Sequence, residues 1–104
     1  MGKPTLVYTT FPSLENAKSI VGYLLEKKMI ACANLREHES HYLEDNDIVI
    51  KTEVGAFLKT VENRWDILKD MINEIHPLET PVILKINIDD SNEEFENWIC
   101  NITK

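Results

Sequence analysis

Three histidines and two cysteines are the side chains of this sequence best suited to soft or borderline metals, and their spacing limits what they can hold. A thiolate at Cys32 suits Cu(I), and an imidazole at His76 is a ready copper ligand. Neither has a thiol partner nearby: Cys100 is remote in sequence and no C-x-x-C pair exists, so no closed zinc-type site is expected. The competing reading of Cys32 is a small buried hydrophobe on a strand. That of His76 is a residue closing a helix, where the dipole favours it. His38 and His41 stand among Glu37, Glu39 and Glu44, but residues three apart on an extended strand point to opposite faces, so only weak surface cation binding follows. Asp45, Asp47, Asp89, Asp90, Glu93, Glu94 and Glu96 read as solvated carboxylates, because the regular ligand spacing and turn glycine of a Ca²⁺ loop are missing.

Other chemistries find less support. Eleven Lys and Arg against eighteen Asp and Glu give a formal charge of −7, which repels phosphate backbones and anionic membranes. Nucleic acid is therefore not an expected partner, although Tyr8 and Phe57 fall on strands. A phosphate cradle would want a Gly-rich loop, and the chain offers only Arg36 and Arg64 with no such loop. No apolar run reaches the ~20 residues of a membrane span. The amino terminus lacks a signal-peptide pattern, and two cysteines are too few for a disulfide framework. These features predict a cytoplasmic protein with no membrane partner, and 104 residues predict one domain over 1–104.

The elements that must position these residues follow from hydrophobic periodicity. Thr5–Thr10 is β-branched and aromatic, a buried strand that Pro12 ends. Ser13 is the expected N-cap of a helix whose face is Ala17, Ile20, Val21, Leu24 and Leu25, stopping near Lys27–Lys28. Ile30–Leu35 is a second strand, which the polar stretch Arg36–Ser40 bends or interrupts before Tyr42. After a turn-rich Leu43–Asp47, the positions Ile48, Ile50, Thr52, Val54, Ala56 and Leu58 alternate as one strand face. A helix from about Thr60 carries Val61, Trp65, Leu68, Ile72 and Ile75, and His76-Pro77 closes it. Val82, Leu84, Ile86 and Ile88 alternate as a further strand. Ser91-Asn92-Glu93-Glu94 then reads as a capping box before Phe95, Trp98, Ile99 and Ile102. Trp65 and Trp98 are assigned to core faces. The fold class is α+β: a ferredoxin-like βαββαβ with an extended β-hairpin and a C-terminal helix. The long hairpin exposes strand edges, which pairing with another subunit would cover.

Ala31-Cys32-Ala33-Asn34-Leu35, Lys59-Thr60 and His76-Pro77-x-x-x-Pro81 resemble the CutA family of divalent-cation tolerance proteins. The resemblance extends to Thr9-Thr10-x-Pro12, Tyr42 and Trp98, and so covers nearly the whole chain. It implies a homotrimer similar in outline to PII-type signalling proteins, tolerance of copper and other divalent cations, and no enzymatic reaction. No cofactor is required on this reading, though copper or another divalent cation is the implied ligand. It also implies an intersubunit cleft to which Tyr42 and Lys59 belong. Leu78 and Val82 stand there in place of the family's Tyr and Glu, and Glu44 and Asn46 replace its hairpin Trp and Gly. Some copper-binding members carry a first-strand Cys and a His-His pair; the matching positions are Thr9, Ile75 and His76. The resulting expectation is a non-enzymatic, trimeric, cation-binding protein, with a ligand-binding signalling scaffold as the alternative.

Overall fold

A computed structural model describes residues 2–104. The strands are β1 (Pro4–Phe11), β2 (Cys32–Glu44), β3 (Asp47–Val61) and β4 (Ile83–Asn87); the helices are α1 (Leu14–Glu26), α2 (Trp65–Ile75) and α3 (Glu93–Ile102). The strands form one antiparallel sheet in the order β2-β3-β1-β4. The element order is the βαββαβ expected, followed by the C-terminal helix.

Alternation along the strands separates two faces. Thr5, Val7, Thr9 and Phe11 of β1 and Val54, Ala56, Leu58 and Thr60 of β3 are all buried. The apolar members of this set pack with Ala17, Ile20, Val21 and Leu24 of α1 and Leu68 and Ile72 of α2 in one core. A smaller cluster joins Ile99 of α3 to Ala31 and Val61. The opposite face is open over much of its extent: Phe57 is 42% exposed and Leu84 53%, with Ile86 beside them.

Local chemistry explains the boundaries. Ser13 Oγ accepts from the Asn16 amide at 3.1 Å, satisfying one orphan donor at the start of α1. That helix ends with Lys28 at φ 58°, where the Lys28 amide bonds the Leu25 carbonyl and the Met29 amide the Leu24 carbonyl. The β2–β3 hairpin closes on two residues, Asp45 and Asn46, at φ 50° and 70°. This is the doubly left-handed turn whose twist matches paired strands.

Four expectations need correction. Strand β2 runs unbroken through Arg36–Ser40, because each residue there has a partner on β3, from Arg36 opposite Gly55 to Ser40 opposite Lys51. Thr60 and Val61 end β3 instead of opening a helix: they pair with Thr5 and Pro4, and the Thr60 hydroxyl donates to the Met29 carbonyl at 2.7 Å. A 3₁₀ turn at Glu62–Arg64 then leads into α2. Asn92 holds the N-cap position of α3 without a side-chain bond, while the Ser91 hydroxyl donates to the Glu96 carboxylate at 3.3 Å, so no capping box forms. Trp98 is 44% exposed and lies outside both core clusters, while Trp65 packs against the larger one.

The hairpin carries the molecule well beyond its core. Its long axis is 45 Å against 26 and 22 Å, and the radius of gyration is 14.5 Å where a compact chain of this length has about 13 Å. Near the tip, Leu43 and Ile48 stand opposite each other at 73% and 74% exposure. Among the described residues no helix is long and apolar enough to cross a membrane.

Candidate functional site: a groove between the hairpin and the β1 end

The unbroken β2 puts Arg36, His38, Ser40 and Tyr42 at alternate positions on the open face. They lie opposite Gly55, Glu53, Lys51 and Val49 of β3. Tyr8 and Thr10 of β1 share that face. These strands and the 78–82 loop enclose a groove of about 670 Å³, bordered by Tyr8, Thr10, His38, Ser40, Tyr42, Lys51, Glu53, Leu78, Thr80 and Val82. His41 and Glu44 also border it.

Gly55 lies beneath two of the residues that border the groove, His38 and Tyr8. A Cβ there would sit 2.8 Å from His38 Cε1 and 3.0 Å from the Tyr8 hydroxyl, so the imidazole and the phenol both close over bare backbone. His38 Nε2 shares a hydrogen bond with Ser40 Oγ at 3.1 Å. The hydrogen bond to Tyr42 holds the Lys51 ammonium above the ordinary lysine range, with the Tyr42 charge, Glu44 and Glu53 adding to it. Next to the groove, Tyr8 and Phe57 rings meet at 5.1 Å on the open face.

Three of the four predicted cleft residues, Tyr42, Leu78 and Val82, therefore meet in one groove. Lys59 does not join them. It lies opposite Leu6 and Cys32, beside a separate cavity of about 300 Å³ that includes Phe95. Sequence reasoning missed Tyr8, Ser40, Lys51 and Glu53 as groove residues. The signal was period-two alternation through 36–42, obscured by reading polar residues as a break.

The two predicted metal ligands are not brought together. Cys32 is half-buried at the start of β2, level with Leu6 of β1 through Lys59. His76 is bonded to Thr10, four residues further along β1, or about 13 Å at strand rise. His76 is buried, stacked on Phe11 with centroids 4.9 Å apart, and caps α2 in extended geometry before Pro77. Both its ring nitrogens are engaged: Nε2 with the Thr10 carbonyl at 2.7 Å and Nδ1 with the Leu78 amide at 3.1 Å. At the positions matching the copper-binding pattern, the Thr9 hydroxyl is buried without a partner and Ile75 is apolar. Among the described residues, no three His, Cys, Asp or Glu side chains are grouped so as to hold a metal ion. His41 pairs with Glu39 at 3.1 Å on the exposed hairpin.

Comparison with known proteins agrees with this architecture. The sequence profile of the CutA1 divalent ion tolerance protein family matches residues 5–101. The divalent-cation tolerance protein CutA of Pyrococcus horikoshii is 48% identical over 99 residues, covering 95% of this chain and 97% of that protein. The crystal structure of divalent ion tolerance protein CutA1 from Ehrlichia chaffeensis superposes with a TM-score of 0.97 at 36% identity, covering 100% of this chain and 98% of that one. A protein of Archaeoglobus fulgidus described as a periplasmic divalent cation tolerance protein, CutA, superposes at 0.94 with 33% identity, covering 97% and 99%. Sequence, fold and end-to-end coverage agree: this chain belongs to the CutA1 divalent ion tolerance protein family.

Proposed function

We propose that this protein is a non-enzymatic homotrimer that contributes to tolerance of divalent metals, copper among them, by binding cations at carboxylate- and imidazole-bearing surfaces. The observation that carries the metal reading is the family match over nearly the full chain, to relatives named for divalent-cation tolerance. A formal charge of −7 supports it by concentrating cations near the surface. The side chains favoured for exchangeable binding are His41 with Glu39, and Glu44, Asp45 and Asp47 at the hairpin tip. Compact inner-sphere ligation by Cys32 and His76 is disfavoured by their separation.

Assembly is supported by surface economy. The accessible area is 6860 Å², where a folded monomer of 12.0 kDa has about 6000 Å². The excess includes Phe57, Leu84, Ile86, Leu43 and Ile48, apolar groups that a partner subunit would cover. We place the protein in the cytoplasm from its sequence; the periplasmic description of the Archaeoglobus relative makes cell fractionation the test of that placement.

A second reading is favoured by the groove. Its hydroxyls, one lysine and several carboxylates beside apolar Leu78 and Val82 suit a small polar ligand, whose binding would shift the hairpin as a signal. Calorimetry of the reduced, chelator-treated protein with Cu(I), Cu(II) and Zn²⁺ tests the metal reading. Saturable uptake supports it, and no heat with any ion removes it.

A further inference from the structure

We propose that His76 is the positioning residue of the groove: a neutral imidazole that clamps the 77–82 loop to the end of β1, and is for that reason closed to metal. The chemistry of its two partners fixes the tautomer. A backbone carbonyl can only accept, so Nε2 must carry the proton it gives to Thr10 at 2.7 Å. A backbone amide can only donate, so Nδ1 must be the bare nitrogen that accepts from Leu78 at 3.1 Å. Metal coordination needs a bare ring nitrogen, and the only one is already occupied by an amide proton. The ring is buried and lies 4.9 Å from Phe11 at an interplanar angle of 12°, which holds both bonds in one plane.

The two bonds join different walls of the groove. Thr10 belongs to β1, which also supplies Tyr8, while Leu78 opens the loop that supplies Thr80 and Val82. The loop has no regular secondary structure of its own, and His76 crosses between the walls at its root. Pro77 contributes no amide donor, so the Leu78 amide is the first one after the helix that can tie the loop down. The inference deepens the groove reading. It is tested without any organic ligand, at one ring and one backbone amide, so its failure is separable from failure of that reading.

The test has two arms, both on the full chain. In the first, the ring ¹⁵N spectrum of the wild-type protein is followed during titration with Zn²⁺. The clamp predicts a protonated Nε2 and bare Nδ1 at His76 that do not move while the exposed His41 responds. A His76 signal that shifts with or before His41, or a proton on Nδ1, overturns it. In the second arm, hydrogen exchange at the Leu78 amide is compared across three variants. His76→Asn places an amide oxygen where Nδ1 was and keeps the Leu78 bond; His76→Gln reaches only toward Thr10; His76→Phe keeps the stack alone. Leu78 should stay protected in His76→Asn and exchange about tenfold faster in the other two. Equal protection in His76→Phe and wild type overturns the clamp. If the variants do not fold, the first arm alone decides.

Discussion

Leu43 and Ile48 face each other across the hairpin with about three-quarters of each side chain in water, although further along β3 the same strand face is buried at Val54, Ala56 and Leu58. One sheet thus changes from core to surface within a few residues while its apolar pattern continues. Such a pattern is stable when another subunit continues the core. The other face of the sheet carries Phe57 and Leu84, apolar and about half-exposed, so a charge placed there should dissociate the proposed trimer: Leu84→Glu and Phe57→Glu are expected to give monomers in light scattering. An unchanged mass for both variants would place the interface elsewhere.

A side chain at Gly55 should displace a ring. Gly55→Ala brings a methyl to within 2.8 Å of the His38 ring and 3.0 Å of the Tyr8 hydroxyl, and one of these side-chain ends must swing aside. Neither is backbone, so the expected result is a changed His38 ring signal in NMR with a loss of no more than about 1 kcal/mol in urea denaturation. An unmoved His38 ring signal would mean that the imidazole does not cover Gly55 as described.

Thr9 should be better as valine. Its hydroxyl is buried with no hydrogen-bond partner, which leaves a desolvated polar group in the core. Thr9→Val keeps the branched shape and removes that group, so stability should rise by about 1 kcal/mol. Thermal melts of the two proteins check it; a loss of stability would reveal a partner for the hydroxyl.

Tyr42 should set the titration of Lys51. The hydrogen bond between them holds the lysine above its ordinary value of 10.5, with Glu44 and Glu53 as weaker contributors. A raised lysine contributes stability that is fully present below 10.5 and lost as pH rises through the higher folded value. At this exposed position the contribution is small. Tyr42→Phe should return the Lys51 ammonium toward 10.5 in an NMR titration, and no movement would remove Tyr42 as the cause.

Much of this fold is legible in the sequence because hydrophobic period and backbone preference agree over most elements. Ser13, Pro12 and His76-Pro77 mark ends that the structure keeps, and Ala17, Ile20, Val21 and Leu24 form the expected buried face, whereas Leu25, expected on it, is 40% exposed. The failures arise where a polar sequence takes strand geometry from its neighbour. Arg36–Ser40 has little intrinsic β preference, yet pairing with the β-branched and alternating β3 holds it extended. That misreading also hid most of the groove, since His38, Ser40 and Tyr42 share a face only when β2 is continuous. Leu78 and Val82 came from family resemblance and joined the groove, while Lys59 came the same way and lies apart. Spacing could suggest Cys32 and His76 as ligands, but only the register shows them on different levels of the sheet. The occupied ring nitrogens of His76 are likewise a tertiary fact, set by a carbonyl 66 residues away.

The proposed cation sites are exposed carboxylates and imidazoles, not a buried thiol–imidazole pair. They are tested by calorimetric titration of Cu(II) into reduced, chelator-treated wild type, Cys32→Ser, His76→Asn and the double variant Glu39→Gln/His41→Asn. Saturable binding is expected, unchanged in the first two variants and weakened in the third. Binding lost with Cys32 or His76 and kept in the hairpin variant would contradict this assignment.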